Sequence, residues 1–386
     1  MQIVDIKTID TMKAATKSTL LALFCAFFTS NTFAESHSHA EGGEAIHAVE
    51  GHGQFSEEGD GYEKEPTIGA QLSEMILGHV SDNHSWDVFG HAVMMPLPCI
   101  TYSKTNGFEI FSSAKFEHGH ASYKGMTLAE YRSKIVWDKK GVEDKIWNFS
   151  ITKNAANLII GSILMCILFI WVARKYAKNR GKAPKGFQNL MESLVIFLRD
   201  DVFKASIGRR YLEFVPMLLT IFFFILFMNL MGQIPFFPGG ANVTGNIAVA
   251  MVLALVVFVY VTANGNKYYW KHIFMPDAPK AMWIILIPIE VLGIILKPFV
   301  LMLRLFANIT AGHIIILGFF SLIFIFGGMK TWVGFAVSPA SIGFGIFMSF
   351  MELLVSFLQA FVFTLLSALY IGMAVEEHEH HETKEH

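Results

Sequence analysis

Leu301-Met-Leu-Arg304-Leu-Phe-Ala-Asn308-Ile-Thr-Ala-Gly-His313 is the stretch that decides the fold, because it places an arginine inside a run apolar enough to lie in a bilayer. A guanidinium cannot give up its proton, so Arg304 is a fixed positive charge at membrane depth. Such a charge costs from about 3 to more than 10 kcal/mol. Two interpretations follow: a structural arginine paired with a neighbouring carboxylate or carbonyls, or a charge that belongs to an ion pathway.

The composition is that of an integral membrane protein. The 386 residues are 53% hydrophobic and 16% charged, whereas soluble domains carry about 25% charged residues. The net charge of −2 is nearly neutral, so we expect no nucleic-acid partner. Cys25, Cys99 and Cys166 form no CxxC motif, which predicts neither a disulfide framework nor a metal site. We expect no cofactor.

The N-terminus has the pattern of a secretion signal. Lys13 and Lys17 form a basic region, residues 20–28 are apolar, and a small-residue cleavage site ends at Ala34. The apolar run is too short to span a bilayer, which argues against an anchor. We therefore predict a signal peptide over residues 1–34 and a mature N-terminus outside the cytoplasm.

Two further segments precede the membrane domain. Residues 35–67 are rich in His, Glu and Gly, which predicts a flexible, solvated tail rather than a metal site. Residues 68–150 contain several aromatic side chains and the turn-like sequence Ser103-Lys-Thr-Asn-Gly107 between short apolar stretches. We predict a small extracytoplasmic module of mixed or irregular structure that includes a hairpin.

Residues 151–376 predict an all-α integral membrane domain with about five crossings. The loops 174–185 and 267–280 are basic and mark the cytoplasmic side, in agreement with an exported N-terminus. The amphipathic segment 187–203 is expected to lie along the inner surface. After five crossings the chain ends in the cytoplasm with an acidic, His-rich tail, residues 377–386. The predicted crossings are 154–173, 214–231, 247–263, 281–326 and 346–375.

The fourth of these segments is ambiguous. Residues 281–326 are too long for one ordinary span of about 20 residues, and Pro288 and Pro298 interrupt them. The pattern allows two short spans, a re-entrant segment, or one long, steeply tilted helical element. A Gly-containing turn predicted over residues 327–339 would join this segment to 346–375 as a helical hairpin. No internal repeat is visible, which disfavours the inverted-repeat transporter folds.

Polar residues in the fourth segment recur on one helical face. Glu290, Lys297 and Arg304 are spaced by seven, and Asn308 follows after four more residues. A step of seven rotates a helical position by only about 20°, so the four share a face. They form either an internal ladder of ion pairs or part of a pathway. His313 is half a turn out of phase and points to the opposite side.

The last crossing carries a matching polar face. Glu352, Ser356 and Gln359 lie on one side of that helix. If the two helices are antiparallel, His313 pairs with Glu352 near the outside, and Arg304 with Gln359 near the middle. His and Glu can exchange protons whereas Arg cannot, so the set would form a relay with a fixed positive barrier at its inner end. The alternatives are a packing role for His313 and an interhelical hydrogen bond for Gln359.

Two segments, 296–313 and 358–370, resemble subunit a of the F-type rotary ATP synthases. Their shared elements are Arg-Leu-Phe-x-Asn-x-x-Ala-Gly and Gln-Ala-Phe-x-Phe, which together are highly specific; 227–231 and 242–244 are also similar. The likeness covers about residues 150–377. It implies a static subunit, without a nucleotide site of its own, in the bacterial inner (plasma) membrane. Its implied partners are membrane lipid, a rotating ring of c subunits, b-type peripheral stalk subunits and the rest of the ATP synthase.

The resemblance also implies roles for single residues. Arg304 matches the arginine that faces the ring carboxylates and makes each release its proton. Glu290 matches a position near the release half-channel on the cytoplasmic side. Glu and His are exchanged between positions 313 and 352 relative to many bacterial members, which keeps the same proton chemistry. The residues that match the uptake half-channel are Asn308, His313, Glu352 and Gln359, with Asn229, Asn242 and Ser356 as further polar positions.

The expected function is therefore proton flow coupled to rotation of the c-ring for ATP synthesis. A proton-coupled secondary transporter is the alternative, and it would need a midplane solute pocket. A passive membrane anchor leaves Arg304 unexplained. Whether the ion is a proton or sodium depends on the c subunit. Gly232 and Gln233 stand where an acidic residue is common in the family, so the outer mouth is expected to differ there.

Overall fold

The structure is a computed structural model that describes residues 81–87, 94–119, 121–129, 134–138, 144–179, 182–234, 237–275, 279 and 282–376. The predicted signal peptide (1–34), the flexible tail (35–67) and the C-terminal tail (377–386) lie outside these ranges. Within the described ranges, a small β-structured module precedes a helical membrane domain.

The module is built from short antiparallel strands in three small sheets. The predicted hairpin is present: Pro98–Ser103 pairs with Gly107–Ser112, and Gly107 adopts a positive φ of 73° at the end of the turn. Cys99 is buried as a free thiol, and burial raises its pKa to about 11, which keeps it unreactive. The strands are β1 (Ser85–Asp87), β2 (Met94–Pro96), β3 (Pro98–Ser103), β4 (Gly107–Ser112), β5 (Met126–Ala129), β6 (Lys134–Trp137) and β7 (Trp147–Asn148).

The membrane domain is all α-helical, as predicted. Four helical stretches are long and apolar enough to cross a membrane, and a fifth is formed by two helices bent by 101°. About five crossings are therefore confirmed. The helices are α1 (Lys153–Lys178), α2 (Phe187–Ile196), α3 (Lys204–Ile207), α4 (Tyr211–Gln233), α5 (Ile247–Ala263), α6 (Lys267–Phe274), α7 (Trp283–Met329) and α8 (Thr331–Val375).

The fourth segment is one continuous helix, so neither two spans nor a re-entrant loop is present. α7 runs through Pro288 and Pro298, and α8 runs through Pro339. The predicted turn over 327–339 and the predicted start of the last helix at residue 346 are wrong, because α8 already begins at Thr331. In lipid an unpaired backbone group costs several kcal/mol, so a helix continues through prolines that would end it in water.

Glycine permits the abrupt turn between α7 and α8. A Cβ atom added to Gly334 would lie 2.7 Å from Cα of Gly327, so the two helices touch backbone to backbone at the tip. Further along, Phe319 stacks on Phe344 with ring centroids 5.3 Å apart. The two helices therefore pair in a regular antiparallel register. α8 also packs on α4, and α7 packs on α5.

Replacing Gly334 by Ala should destabilise the hairpin by about 1–3 kcal/mol, because the added methyl group meets immovable backbone. The measurement is the temperature at which the purified protein denatures. Gly318→Ala is the matched control on α7, since nothing lies within 4 Å of its Cβ position. Equal denaturation temperatures for the two variants would contradict the close approach at the tip.

Candidate functional site

The central contact of the site joins α7 to α8. Nε2 of His313 lies 3.5 Å from Oε1 of Glu352, whose side chain is only 6% exposed. Two glycines leave room for this pair. A Cβ on Gly312 would lie 3.1 Å from Oε1 of Glu352, and a Cβ on Gly232 would lie 3.9 Å from Nε2 of His313. The structure thus brings together the His and the carboxylate that the antiparallel depth argument placed opposite each other.

Polar side chains from α4, α8 and the α4–α5 loop continue from this pair. Nε2 of Gln233 donates to Oγ of Ser356 at 2.5 Å. Nδ2 of Asn229 donates to the Ser356 carbonyl at 3.3 Å, and Oγ1 of Thr244 donates to Oδ1 of Asn229 at 2.6 Å. Asn229, Thr244 and Ser356 are buried. They form a hydrogen-bonded polar column inside an apolar helix bundle.

Three buried polar atoms near this column have no hydrogen-bond partner among the residues that the structure describes. They are Oδ1 of Asn157 on α1, Nδ2 of Asn242 and Oε1 of Glu352. Oδ1 of Asn242 accepts from the Gly245 N–H at 2.9 Å. Buried polar groups without a protein partner are commonly hydrated. The arrangement therefore suits a water-containing path that leads to His313 and Glu352.

Arg304 has a different environment. Its side chain is exposed on α7, as is that of Asn308, and it forms no ion pair with any described residue. Gln359 lies at a similar level of α8 but is buried, and no hydrogen bond joins its side chain to Arg304 in the described part of the chain. The interpretation in which a carboxylate of the same chain neutralises Arg304 is therefore not supported.

The N-terminal half of α7 carries a second set of polar side chains, Glu290 and Lys297. Nζ of Lys297 lies 5.2 Å from the ring centroid of Tyr370, a cation–π contact between α7 and α8. Glu290 is half-buried and lies within electrostatic range of Lys297. No ion pair joins Glu290, Lys297 and Arg304 among the described residues, so the predicted face exists without a ladder of salt bridges. Tyr370 also lies within electrostatic range of Arg304.

Sequence reasoning missed several of these contacts. Oγ1 of Thr310 donates to the Gly245 carbonyl at 3.1 Å, and Nδ2 of Asn157 donates to the Ala241 carbonyl at 3.2 Å. Both residues are polar positions inside apolar helical segments, a signal that could have singled them out. Their partners are loop carbonyls, which no residue pattern reveals.

The fold and the site define a class of protein: an α-helical membrane subunit in which a half-buried His and a buried Glu are in contact on the same hairpin as an arginine that has no ion pair among the described residues. Residues 156–372 match the family described as ATP synthase A chain, and the chain belongs to that family. Residues 75–156, which include most of the module, match a separate domain of unknown function (DUF8433).

Curated relatives agree with this assignment. ATP synthase subunit a of Chloroherpeton thalassium is 43% identical over 240 residues, 61% of this chain and 69% of the relative. That of Chlorobium phaeobacteroides strain BS1 is 36% identical over 369 residues, 92% of each chain. That of Myxococcus xanthus is 39% identical over 279 residues, 70% of this chain and 88% of the relative.

Family membership settles the general function. The chain is a non-catalytic membrane subunit of a bacterial ATP synthase and belongs to its proton-translocating membrane sector, where it works with the rest of that complex. The resemblance noted in the sequence is thereby confirmed. A proton-coupled secondary transporter is not favoured.

Proposed function

We propose that this chain provides two proton half-channels and that Arg304 separates them. On the uptake side, His313 and Glu352 accept protons and pass them to carboxylates of a c-ring. On the release side, Glu290 leads protons to the cytoplasm. Arg304 cannot carry a proton, so it attracts an ionised ring carboxylate and prevents direct leakage between the two paths. A membrane potential of 100 mV drives each proton with about 2.3 kcal/mol.

The observation that carries this proposal is the His313–Glu352 contact of 3.5 Å, set in a polar column within a bundle where Arg304 has no partner in the described chain. A carboxylate and an imidazole 3.5 Å apart lie just beyond direct hydrogen-bonding distance, so a modest displacement or one bridging water lets them exchange a proton. Asn229, Gln359 and Ser356 supply polar surface to the same side, and Asn242 borders it. Asn308 lies one turn from Arg304 on the exposed face of α7.

The proposed partner subunits would bind the exposed surface of the α7–α8 hairpin. Only 6% of the apolar window of α7 is buried, against 61% for the stretch from α2 to α4. An apolar helix that carries an arginine without an ion pair among the described residues suits a ring of c subunits whose carboxylates pass in front of it. We assign b-type stalk subunits as the static partners and assign no nucleotide site to this chain. The module faces outward from the inner membrane, and the C-terminus lies in the cytoplasm.

Copurification tests these partners. Gentle solubilisation of the membrane should yield the chain together with an oligomeric c-ring, b-type subunits and the nucleotide-binding head. Isolation of the chain without a c-ring from membranes that contain assembled ATP synthase would contradict the proposed function.

Ser356→Ala should slow proton conduction through the membrane sector about three- to tenfold, because Gln233 loses the hydroxyl that accepts its hydrogen bond. The measurement is passive proton flux into vesicles from which the catalytic head has been stripped. Ser349→Ala is the matched control on the same helix, since its hydroxyl donates to the Gly345 carbonyl one turn earlier in that helix. Equal flux in the two variants would show that the polar column is not part of the proton path.

A further inference from the structure

A buried tryptophan of the module contacts the α4–α5 loop of the membrane domain. Nε1 of Trp86 donates to the Gly239 carbonyl at 3.0 Å, and its ring meets Phe237 edge-on with centroids 5.1 Å apart. Gly239 and Phe237 belong to the α4–α5 loop, defined here as residues 237–246. Trp86 is only 1% exposed. A buried indole held by a ring contact and by its N–H fixes the part of the loop that it touches.

The same contact reaches the start of α1. Trp86 packs with Leu97 of the module and Ala156 of α1 in one buried cluster. Oδ1 of Asp82 accepts from the Asn154 N–H at 2.9 Å, and the Asn83 carbonyl accepts from the Lys153 N–H at 2.8 Å. These bonds satisfy backbone donors in the first turn of α1. The module, the first turn of α1 and the loop are therefore held as one unit.

The other end of the α4–α5 loop lies beside the residues that are proposed to take up protons. A Cβ on Gly232 would lie 3.3 Å from the Ala241 carbonyl and 3.9 Å from Nε2 of His313, so the loop backbone passes close to that imidazole. Thr244 donates to Asn229, and the Gly245 carbonyl accepts from Thr310 on α7. A displacement of the loop would therefore change the surroundings of His313 and the top of the polar column.

We infer that the module is a clamp: Trp86 holds the α4–α5 loop in the position in which the uptake half-channel can deliver protons to His313 and Glu352. Trp86 is a positioning residue, since it touches the loop and not the proton carriers. The inference rests on the proposed function of His313 and Glu352, and it gives a role to the part of the chain outside the subunit a family match.

The test is Trp86→Phe in the complete ATP synthase, reconstituted in liposomes with the module facing the lumen. Phenylalanine keeps an aromatic ring beside Phe237 but cannot donate to Gly239. ATP synthesis is measured at a fixed diffusion potential over a series of lumenal pH values, per amount of assembled chain. A loosened uptake path limits turnover only where protons are scarce. We expect wild-type rates at acidic lumenal pH and rates about three- to tenfold lower near neutral pH.

Trp147→Phe is the control within the module, because that indole is exposed and lies on β7, where it pairs with Tyr102 of β3. It should give the wild-type pH profile. A wild-type profile for Trp86→Phe, or a fall by the same factor at every lumenal pH, would overturn the clamp. If Trp86→Phe lowers the amount of assembled complex, Phe237→Leu removes the ring contact from the loop side and must give the same pH-selective loss.

The same assay separates this inference from the proposed function. His313→Ala should lose synthesis at every lumenal pH if His313 carries protons. Full activity of His313→Ala would reject the relay itself, whatever Trp86→Phe does. A dead His313→Ala beside a Trp86→Phe variant with the wild-type profile would reject only the clamp.

Discussion

Arg304→Ala should reduce ATP-driven proton pumping in inverted membrane vesicles to below about 1% of the wild-type rate, as expected when a pre-placed charge at a reacting centre is removed. The guanidinium is exposed on α7 and has no ion pair within the described chain, so it is available to attract a ring carboxylate. Without it, a ring carboxylate has no reason to lose its proton on passing the hairpin. The measurement is quenching of a pH-sensitive dye after addition of ATP.

Two companion variants make this result specific. Leu303→Ala removes a side chain of comparable exposure, 40%, from the adjacent position and should pump nearly as the wild type does. Arg304→Lys keeps the charge but loses the planar, delocalised guanidinium, and we expect it to retain only a small part of the rate. Pumping by Arg304→Ala at the wild-type rate would refute the separator role.

Exchanging the central pair, His313→Glu with Glu352→His, should restore at least about tenfold more pumping than either single alanine variant shows. Each single loss removes one partner of a 3.5 Å contact and should lower the rate about 100-fold. The exchanged pair keeps an imidazole and a carboxylate at the same place. The tight fit around the pair, with Gly312 against Glu352, is the reason why recovery should be incomplete.

A control variant separates the loss of the His–Glu pairing from a loss of helix stability. His313→Gln with Glu352→Gln is the matched control, because it keeps similar volumes and hydrogen bonding without a titratable group. This control should remain as inactive as the single variants. An exchanged pair that is also as inactive as the single variants, in vesicles with equal amounts of assembled chain, would show that the two residues do not act together.

The sequence was sufficient for those features that depend on periodicity. The seven-residue spacing of Lys297 and Arg304, together with the spacing of Glu352 and Gln359, was enough to predict a hairpin with His313 opposite Glu352. Ile247–Ala263 was predicted to the residue. These predictions succeed because a helix converts residue number into angle and height without reference to anything else in the fold.

Other features depend on surroundings that a single segment does not encode. The Gly-containing stretch 327–339 suggested a turn, but in lipid the helix persists through Pro339 and the turn shrinks to Lys330 between Met329 and Thr331. The contact between Trp86 and the Gly239 carbonyl joins residues 153 positions apart and uses a backbone acceptor. No spacing rule connects an indole to a carbonyl that every residue possesses.

The unbroken length of α7 has a geometric consequence. Its 47 residues measure about 70 Å at 1.5 Å per residue, more than twice the hydrocarbon thickness of about 30 Å. To remain within that layer the axis must lean about 65° from the membrane normal. Glu290 and His313 are then only about 15 Å apart in depth but about 30 Å apart sideways. Under the proposed function, a ring carboxylate that takes up a proton near His313 and releases it near Glu290 must therefore move sideways in the plane of the membrane, and its direction reverses when net proton flow reverses.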